Sequence, residues 1–255
     1  MAIERQPGRG LWGGDLLIFD ELASTNRWAL DNIANCRRGD VIRALKQTAG
    51  VGRFGRSWIC EPDSSLAFSI VIEPDGSSDI GFFYGVAAAL TVRSFAAGSG
   101  ARNVSVKWPN DVVADGRKFC GILLEQAGSA KLVLGIGLNV NMTPDSLRAA
   151  ALEHSATSMA ISAGRNFNLQ SVFGSLLREM EIRLSHVSAE ERPKLVSEWN
   201  CHDILAGRII KVTSEETTVK GLCRGMSSTG QLSLQDEDGT EHLFWAGDAT
   251  LAPGT

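Results

Sequence analysis

Two lysines at close spacing carry the side chains best suited to chemistry in this chain of 255 residues. Lys107 begins the segment Lys107-Trp-Pro-Asn-Asp111, and Lys118 follows within Gly116-Arg-Lys118-Phe-Cys-Gly121-Ile-Leu-Leu-Glu125. An ammonium group is a compact point charge that binds phosphate or carboxylate oxygens. Two of them side by side would form a site for an anionic substrate. A surface hairpin with solvated lysines is the alternative.

A strand–turn–strand pattern explains how the two lysines would meet. Val104–Trp108 alternates as a strand and stops at Pro109, after which Asn110-Asp111 turns the chain. Residues 112–114 resume an extended run, and Asp115-Gly116 is a two-residue turn typical of β-hairpins. The pattern therefore predicts that both ammonium groups lie near a hairpin end.

A loop rich in glycine and arginine, residues 49–58, is the second candidate. Its glycines allow a ligand to approach the backbone closely, and Arg53 and Arg56 offer planar, permanently charged groups. It is not a P-loop, because no Gly-Lys-Ser/Thr ends it and no clear helix follows. From these residues alone, a solvated basic loop without a ligand is an equally good interpretation.

Gly135-Ile-Gly137-Leu-Asn139 ends a predicted strand and superficially resembles a dinucleotide-binding fingerprint. The third glycine is missing and no clear helix follows, so the pattern disfavours a Rossmann site. A close-packed core strand is the alternative.

Ser24-Thr25-Asn26 stands just before a helical pattern. Free backbone N–H groups at a helix N-terminus favour an anion or a polar oxygen. The triplet fits such a site, and it fits an ordinary N-cap equally well.

The remaining pattern alternates strands with helices and then changes to short strands. Strands are predicted over 15–22, 41–48, 66–72 and 131–138, and helices over 80–97, 169–184 and 189–201. From residue 206 onward only short strands are predicted, over 208–213, 218–226, 231–235 and 241–244. We therefore expect a flexible N-terminus over 1–14, an α+β domain over 15–205 and a small barrel domain over 206–255.

Composition and charge exclude several classes of protein. A hydrophobic content of 44% supports a sizeable core, and the net charge of −4 argues against a nonspecific nucleic-acid binder. No apolar stretch approaches the length of about 18 residues that a membrane helix requires. The five cysteines form no C-x-x-C pair, which predicts no zinc site and favours a reducing cytoplasm.

The motifs in this order resemble the biotin protein ligase family. Residues 107–111 match its KWPND segment, and residues 116–125 match its GRK-x-x-GIL-x-E segment at the family spacing. Ser24-Thr25-Asn26 is similar to its S-T-N triplet, and residues 135–139 are similar to its GIG-x-N segment. The resemblance extends from about residue 15 to the C-terminus.

The glycine/arginine loop departs from the family pattern. The usual family sequence is close to GRGRRGR, whereas this chain has Val51 and Phe54 in place of two of the arginines. Loss of the cation at position 51 would loosen the hold on an anhydride intermediate unless another residue substitutes for it.

The resemblance implies a mixed β-sheet core with packed helices, similar to class II aminoacyl-tRNA synthetases, and a C-terminal SH3-like β-barrel. Some relatives carry an N-terminal helix-turn-helix domain, for which the residues before position 15 are too few. We therefore expect a monofunctional cytoplasmic ligase with no nucleic-acid or membrane partner. A monomer and a homodimer both stay open.

The resemblance also assigns roles to individual residues. Lys118 and Arg53 are the implied catalytic residues. The implied biotin-binding residues are Ser24, Thr25, Asn26, Gln47, Gly50, Val51, Gly52, Arg53, Lys118, Gly121 and Gly135. The implied ATP-binding residues are Arg53, Arg56, Trp58, Lys107, Asn110, Asp111, Lys118 and Asn139. Magnesium is expected to arrive with ATP, without an assigned protein ligand.

The implied reaction has two steps. Biotin is first activated by ATP to biotinoyl-5'-AMP, because a free carboxylate is a poor electrophile. A lysine amine of a biotin carboxyl carrier protein, a subunit of acetyl-CoA carboxylase, then displaces AMP. Lys118 would stabilise the charge between the carboxylate and the α-phosphate, and Trp58 would pack on the adenine. The alternatives are a lipoate or octanoate ligase, and a non-catalytic biotin-binding module.

Overall fold

The computed structural model describes residues 4–74, 80–128, 130–214 and 217–252. The first part of the chain contributes the strands β1 (Glu4–Gln6), β2 (Leu16–Leu22), β3 (Val41–Gln47), β4 (Gly50–Val51), β5 (Ser57–Trp58), β6 (Ser65–Ile72), β7 (Val104–Lys107), β8 (Asp111–Ala114), β9 (Arg117–Ala127) and β10 (Lys131–Asn139). Eight of them form one sheet in the order β1-β2-β3-β6-β10-β9-β8-β7. The sheet is mixed because β2 and β3 run parallel while its other neighbours are antiparallel.

The helices lie on both faces of this sheet. They are α1 (Thr25–Asp31), α2 (Gly81–Gly98), α3 (Pro144–Ala149), α4 (Met159–Ala163), α5 (Leu169–Ser185) and α6 (Arg192–His202). Side chains alternate between the faces along a strand, so Ile70 and Ile72 pack in one cluster with α2 and α5. Val71 points the other way and packs in a second cluster beneath α1. This two-sided core holds the strands that form the site.

A second sheet follows α6. Its strands are β11 (Ile209–Thr213), β12 (Thr218–Met226), β13 (Leu232–Gln235), β14 (Glu241–Phe244) and β15 (Asp248–Leu251), in the antiparallel order β14-β13-β12-β11-β15. A mixed α+β architecture was predicted and is confirmed. So are the strands and helices of the alternating region, with shifts of a few residues at their ends.

Several elements differ from the sequence prediction. Residues 4–14, placed in a flexible segment, contain β1, which pairs with β2, and a 3-10 turn whose Leu11 is buried. The last long helix begins at Arg192 instead of residue 189, with Pro193 in its first turn, where a missing N–H costs no helical hydrogen bond. The short elements α3, α4 and β15 were not predicted, because each is too brief to show a period.

Candidate active site

A cavity of about 460 Å³ lies over one face of the large sheet. The N-terminus of α1, the loop 51–59, the β7–β8 turn and the middle of β9 and β10 surround it, and residues 247–250 of the second sheet close one side. Of the residues assigned by resemblance, all but Gly50 line this cavity. Gly50 lies behind the wall, where a Cβ atom would collide with the carbonyl oxygen of Trp58.

A β-bulge sets the direction of Lys118. Val112 pairs with Cys120 while Val113 pairs with Lys118, so one extra residue of β9 stands between them. Bulges re-aim the neighbouring side chains and often lie next to active sites. The segment 155–157 fixes the Lys118 backbone on the side that does not face β8. The Lys118 N–H donates to Ser155 O (3.0 Å), and the Lys118 carbonyl accepts from Thr157 N–H (2.8 Å).

The Lys118 ammonium group lies next to a carboxylate and an indole ring. Its Nζ lies 2.6 Å from Asp111 Oδ1 and 5.4 Å from the centre of the Trp58 ring. A third of the side chain is exposed, toward the cavity. The contact with Asp111 holds the ammonium group in place and leaves it accessible to an anionic ligand.

The turn that follows Lys107 is anchored on both sides. Trp108 is fully buried before a cis peptide bond to Pro109, and its Nε1–H donates to Gly230 O at 3.3 Å in the second sheet. Asn110 Nδ2 donates to Ile122 O (2.7 Å), while Ile122 N–H donates to the Asn110 carbonyl (2.9 Å). The amide nitrogen of Asn110 therefore clamps the turn to β9.

Asp203 supports the same turn and was not anticipated from the sequence. Its carboxylate accepts from Trp199 Nε1 (3.2 Å) and from Leu205 N–H (3.0 Å), and its backbone bridges to Val106. Burial raises the pKa of Asp203 to about 6, opposed by these hydrogen bonds and by the charge of Lys107. The only sequence signal is a lone acid just after a predicted helix.

Neutral polar groups form the wall near α1. Ser24 caps the helix, and Gln47 Oε1 accepts hydrogen bonds from the backbone N–H (2.8 Å) and the hydroxyl (3.3 Å) of Thr25. Ser69 Oγ, from β6, lies 2.8 Å from Thr25 Oγ1, within hydrogen-bond distance of this hydroxyl. Ser69 is a further residue that sequence reasoning missed, since it sits in an apolar run.

Asn26 extends this network to β9. Its Oδ1 accepts from Ser69 Oγ at 2.5 Å, and its Nδ2 donates to Glu125 Oε2 (2.8 Å) and to Leu123 O (3.3 Å). The Asn26 side chain is buried and fully engaged. A fixed hydrogen-bonding network of this kind, with its one acid behind Asn26, suits the polar end of a neutral ligand.

Glycines of β9 and β10 leave the space that these side chains occupy. A Cβ at Gly135 would collide with Asn26 Oδ1, and one at Gly137 would collide with the Trp58 indole. Gly137 pairs with Gly121, whose own Cβ would come within 3.2 Å of Trp58 Cζ3. The indole thus lies across two glycines. On β10, Asn139 is buried and donates from Nδ2 to Thr157 O at 3.1 Å.

The glycine/arginine loop is a small two-stranded ribbon, in which β4 pairs with β5. Arg56 forms an ion pair with Asp248 of β15, which ties the loop to the second sheet. Burial lowers the pKa of Arg53, whereas the charges of Asp111 and Asp248 raise it, so this guanidinium lies close to both acids. Val51 and Phe54 are largely exposed and leave these cations as the charged groups of the loop.

Neither a metal centre nor a membrane span is found in the parts of the chain that the structure describes. No three His, Cys, Asp or Glu side chains there are grouped to hold a metal ion. None of the helices in those ranges combines the length and apolar character needed to cross a bilayer.

Comparison with known protein families gives a match in the same region. The family described as "Biotin/lipoate A/B protein ligase family" matches residues 18–141, which carry all of the motif residues. Among curated relatives, "Bifunctional ligase/repressor BirA" of Escherichia coli is 30% identical over 251 residues, covering 94% of this chain and 74% of the relative. "Biotin--[acetyl-CoA-carboxylase] ligase" of Mycobacterium tuberculosis is 30% identical over 248 residues, covering 94% and 90%.

Solved structures with the same fold include ligand complexes. The biotin protein ligase from Aquifex aeolicus in complex with biotin and ATP is 25% identical, with a TM-score of 0.77 over 93% of this chain and 98% of that one. The biotin protein ligase from Leishmania major in complex with biotinyl-5-AMP has a TM-score of 0.57 over 91% and 98%. At 21% identity, the second likeness concerns the fold.

Proposed function

The chain belongs to the biotin protein ligase family, and we propose that it activates biotin with ATP and transfers it to a carrier protein. The product of the first step is biotinoyl-5'-AMP, and the acceptor is a lysine of a biotin carboxyl carrier protein, the acetyl-CoA carboxylase subunit. The observation that carries the proposal is the position of Lys118. Its ammonium group lies in the cavity that the Asn26 network and the cationic loop also line.

The two halves of the cavity match the two halves of the proposed intermediate. The hydroxyl and amide groups around Thr25 and Gln47, held in place by the Asn26 network, would bind the uncharged ureido ring, because they are fixed neutral donors and acceptors. The indole of Trp58, spread over the glycines, offers a flat surface for adenine. Arg53 and Arg56 would hold phosphate oxygens.

Lys118 would act where the two halves meet. The biotin carboxylate attacks the α-phosphate in line and pyrophosphate leaves, so negative charge develops between the two groups. A preformed cation at that point lowers the barrier electrostatically, and it also holds the two anions together. Closure of the loop 50–58 would then keep water from the anhydride.

Magnesium fits this site only as an ion bound together with the phosphates of ATP. Mg²⁺ usually keeps several waters and uses one or two carboxylates plus substrate phosphates. Asp111 is the acid placed to supply such a ligand, together with the Asn110 amide oxygen. Bound there, the ion would offset phosphate charge, while Lys118 and the arginines position the reacting groups.

The domain assignment, the cellular location and the partners belong to the same proposal. We assign residues 15–205 to a catalytic domain related to the class II synthetase fold and residues 206–255 to an SH3-like barrel, supported by the order β14-β13-β12-β11-β15. ATP as cosubstrate and the five free cysteines support a cytoplasmic location. The negative net charge favours a protein carrier over nucleic acid, and a monomer or a homodimer serves equally.

Biotin-dependent ATP–pyrophosphate exchange tests the function, with lipoate and octanoate run in parallel. Lipoate stands as the second candidate because the matching family description joins biotin and lipoate ligases. Exchange with biotin alone supports the proposal. Exchange with lipoate or octanoate alone would keep the mechanism and reject the substrate, and biotin binding without exchange would indicate a binding module.

A further inference from the structure

A second cavity, of about 390 Å³, lies on the molecule away from the site described above. It is formed by β3, the start of β6, the segment after β10 and the N-terminus of α5. The lining residues are Arg43, Ala44, Leu45, Asp63, Ser65, Asn141, Phe167, Asn168, Leu169 and Gln170. None of them lines the catalytic cavity.

Arg43 is the unusual residue of this cavity. Only 6% of it is exposed, and within the described ranges no carboxylate forms an ion pair with it. Its Nη1 donates to the neutral Gln170 Oε1 at 2.8 Å, and its guanidinium carbon stands 4.4 Å from the Phe173 ring centre. Among the residues that the structure describes, its Nε is buried without a hydrogen-bond partner. Buried charges are normally paired, so a guanidinium with no counter-charge among those residues is unusual.

The N-terminus of α5 adds a second positive end at the same place. Asn168 caps the helix by accepting from Ser171 N–H at 2.9 Å, which leaves the first-turn N–H groups of Leu169 and Gln170 directed at the cavity end of the helix. The helix dipole makes this end partly positive. A guanidinium beside a helix N-terminus is unfavourable by itself, but an anion between them would interact well with both.

The other polar groups of the wall are one further hydroxyl donor, one amide and one acid at the exposed rim. Ser65 also lines the cavity and has a buried hydroxyl with no partner, which can donate to an oxygen. The Asn141 amide is held by the backbone of Phe167: its Nδ2 donates to Phe167 O (2.8 Å), and its Oδ1 accepts from Phe167 N–H (2.9 Å). Its oxygen therefore does not compete with a ligand for Arg43. Asp63 is an exposed acid of this wall, and it makes no ion pair with Arg43.

We propose that this cavity is a binding site for an oxyanion, the carboxylate or phosphate group of a small molecule. Arg43 supplies the charge, the first turn of α5 supplies backbone N–H donors, and Ser65 supplies a hydroxyl. Burial lowers the pKa of the Arg43 guanidinium, and a bound anion would offset that effect. The site is separate from the proposed adenylation chemistry.

The direct probe is the Arg43 Nε–H resonance, followed by ¹H–¹⁵N NMR during a titration with sodium phosphate. We expect a saturable shift of this resonance and of the Leu169 and Gln170 amides, absent with sodium chloride at equal ionic strength. Sodium acetate in a parallel titration shows whether a carboxylate is bound as well. No saturable shift with phosphate or acetate, or the same shift with chloride, would overturn the proposal.

Gln170→Glu gives the matched genetic test. It places a carboxylate where Arg43 Nη1 already donates, so the internal acid should displace the ligand and abolish the phosphate response. Gln126→Glu adds the same charge at an exposed position of β9 outside both cavities, and it should keep the response. Pyrophosphate exchange should be unchanged in both variants. A Gln170→Glu protein that still responds like the wild type would contradict the site.

Discussion

Gly135→Ala is the substitution whose effect follows most directly from the geometry. A methyl group at this position would overlap Asn26 Oδ1, and the asparagine side chain must leave its place. Three hydrogen bonds are then lost, to Ser69, Glu125 and Leu123. At about 1 kcal/mol each, the loss is about 3 kcal/mol, of which up to about 1 kcal/mol is offset because alanine restricts the unfolded chain. The expected net loss is about 2 kcal/mol in the free energy of unfolding.

The same change should weaken biotin binding. Because the displaced Asn26 belongs to the proposed ureido pocket, we expect KM for biotin to rise about tenfold or more, which corresponds to about 1.4 kcal/mol. Urea denaturation at constant m measures the stability, and initial-rate kinetics measure KM. Gly174→Ala in α5 is the control. Its Cβ would meet only Arg178 Nη1 at 3.8 Å, so it should stabilise by up to about 1 kcal/mol.

The result that would refute this reasoning is a Gly135→Ala protein with unchanged biotin KM and a stability within about 0.5 kcal/mol of wild type. Such a protein would show that Asn26 has another position of equal energy. A stable protein with a raised KM would retain the binding role and reject only the network's contribution to stability.

Three further predictions concern other contacts. Gly137→Ala should displace the Trp58 indole and raise KM for ATP more than KM for biotin, with little change in stability; equal effects on both constants would contradict the adenine role. Asp203 has a pKa of about 6 in the folded protein against 3.8 when unfolded, so its burial destabilises the protein as pH rises from about 4 to about 6. Asp203→Asn removes this pH-dependent destabilisation. The free energy of unfolding of the variant, relative to wild type, should therefore increase by up to about 3 kcal/mol between pH 4 and pH 7. A difference between variant and wild type that stays constant with pH would contradict the role of Asp203. Asp248→Asn breaks the exposed pair with Arg56, which should change stability by less than about 1 kcal/mol but speed tryptic cleavage at Arg53 and Arg56; unchanged cleavage would show that the pair does not hold the loop.

The elements that hold the site could be predicted because their signals are local. The turn at Asp115-Gly116, the helix cap at Ser24 and the long apolar helix over 80–97 each follow from residues that touch along the chain. The motif residues also identified most of the cavity wall. Their types and spacing indicate anion binding before any fold is known.

What could not be predicted depends on contacts between distant segments. Ser69 meets Asn26, 43 positions away in sequence, and it reads as part of an apolar strand. Asp248 meets Arg56 across 192 positions, which no local pattern reports. The bulge beside Lys118 arises from the pairing of two strands, and the sequence of one strand does not show it.

Arg43 illustrates the same limit for the second cavity. In β3 it reads as an ordinary strand residue with a solvated charge. Only the packing of α5 against the sheet buries it beside a helix N-terminus. That none of the carboxylates the structure describes pairs with it becomes informative once that packing is known.

Biotin-dependent ATP–pyrophosphate exchange by the wild type and Lys118→Ala tests the central claim most directly. Lys211→Ala, at an exposed position of β11, is the matched control. The wild type and Lys211→Ala should catalyse exchange, while Lys118→Ala should lose activity by about a hundredfold or more and unfold like the wild type. Full exchange by Lys118→Ala would contradict the role of this ammonium group in forming the adenylate.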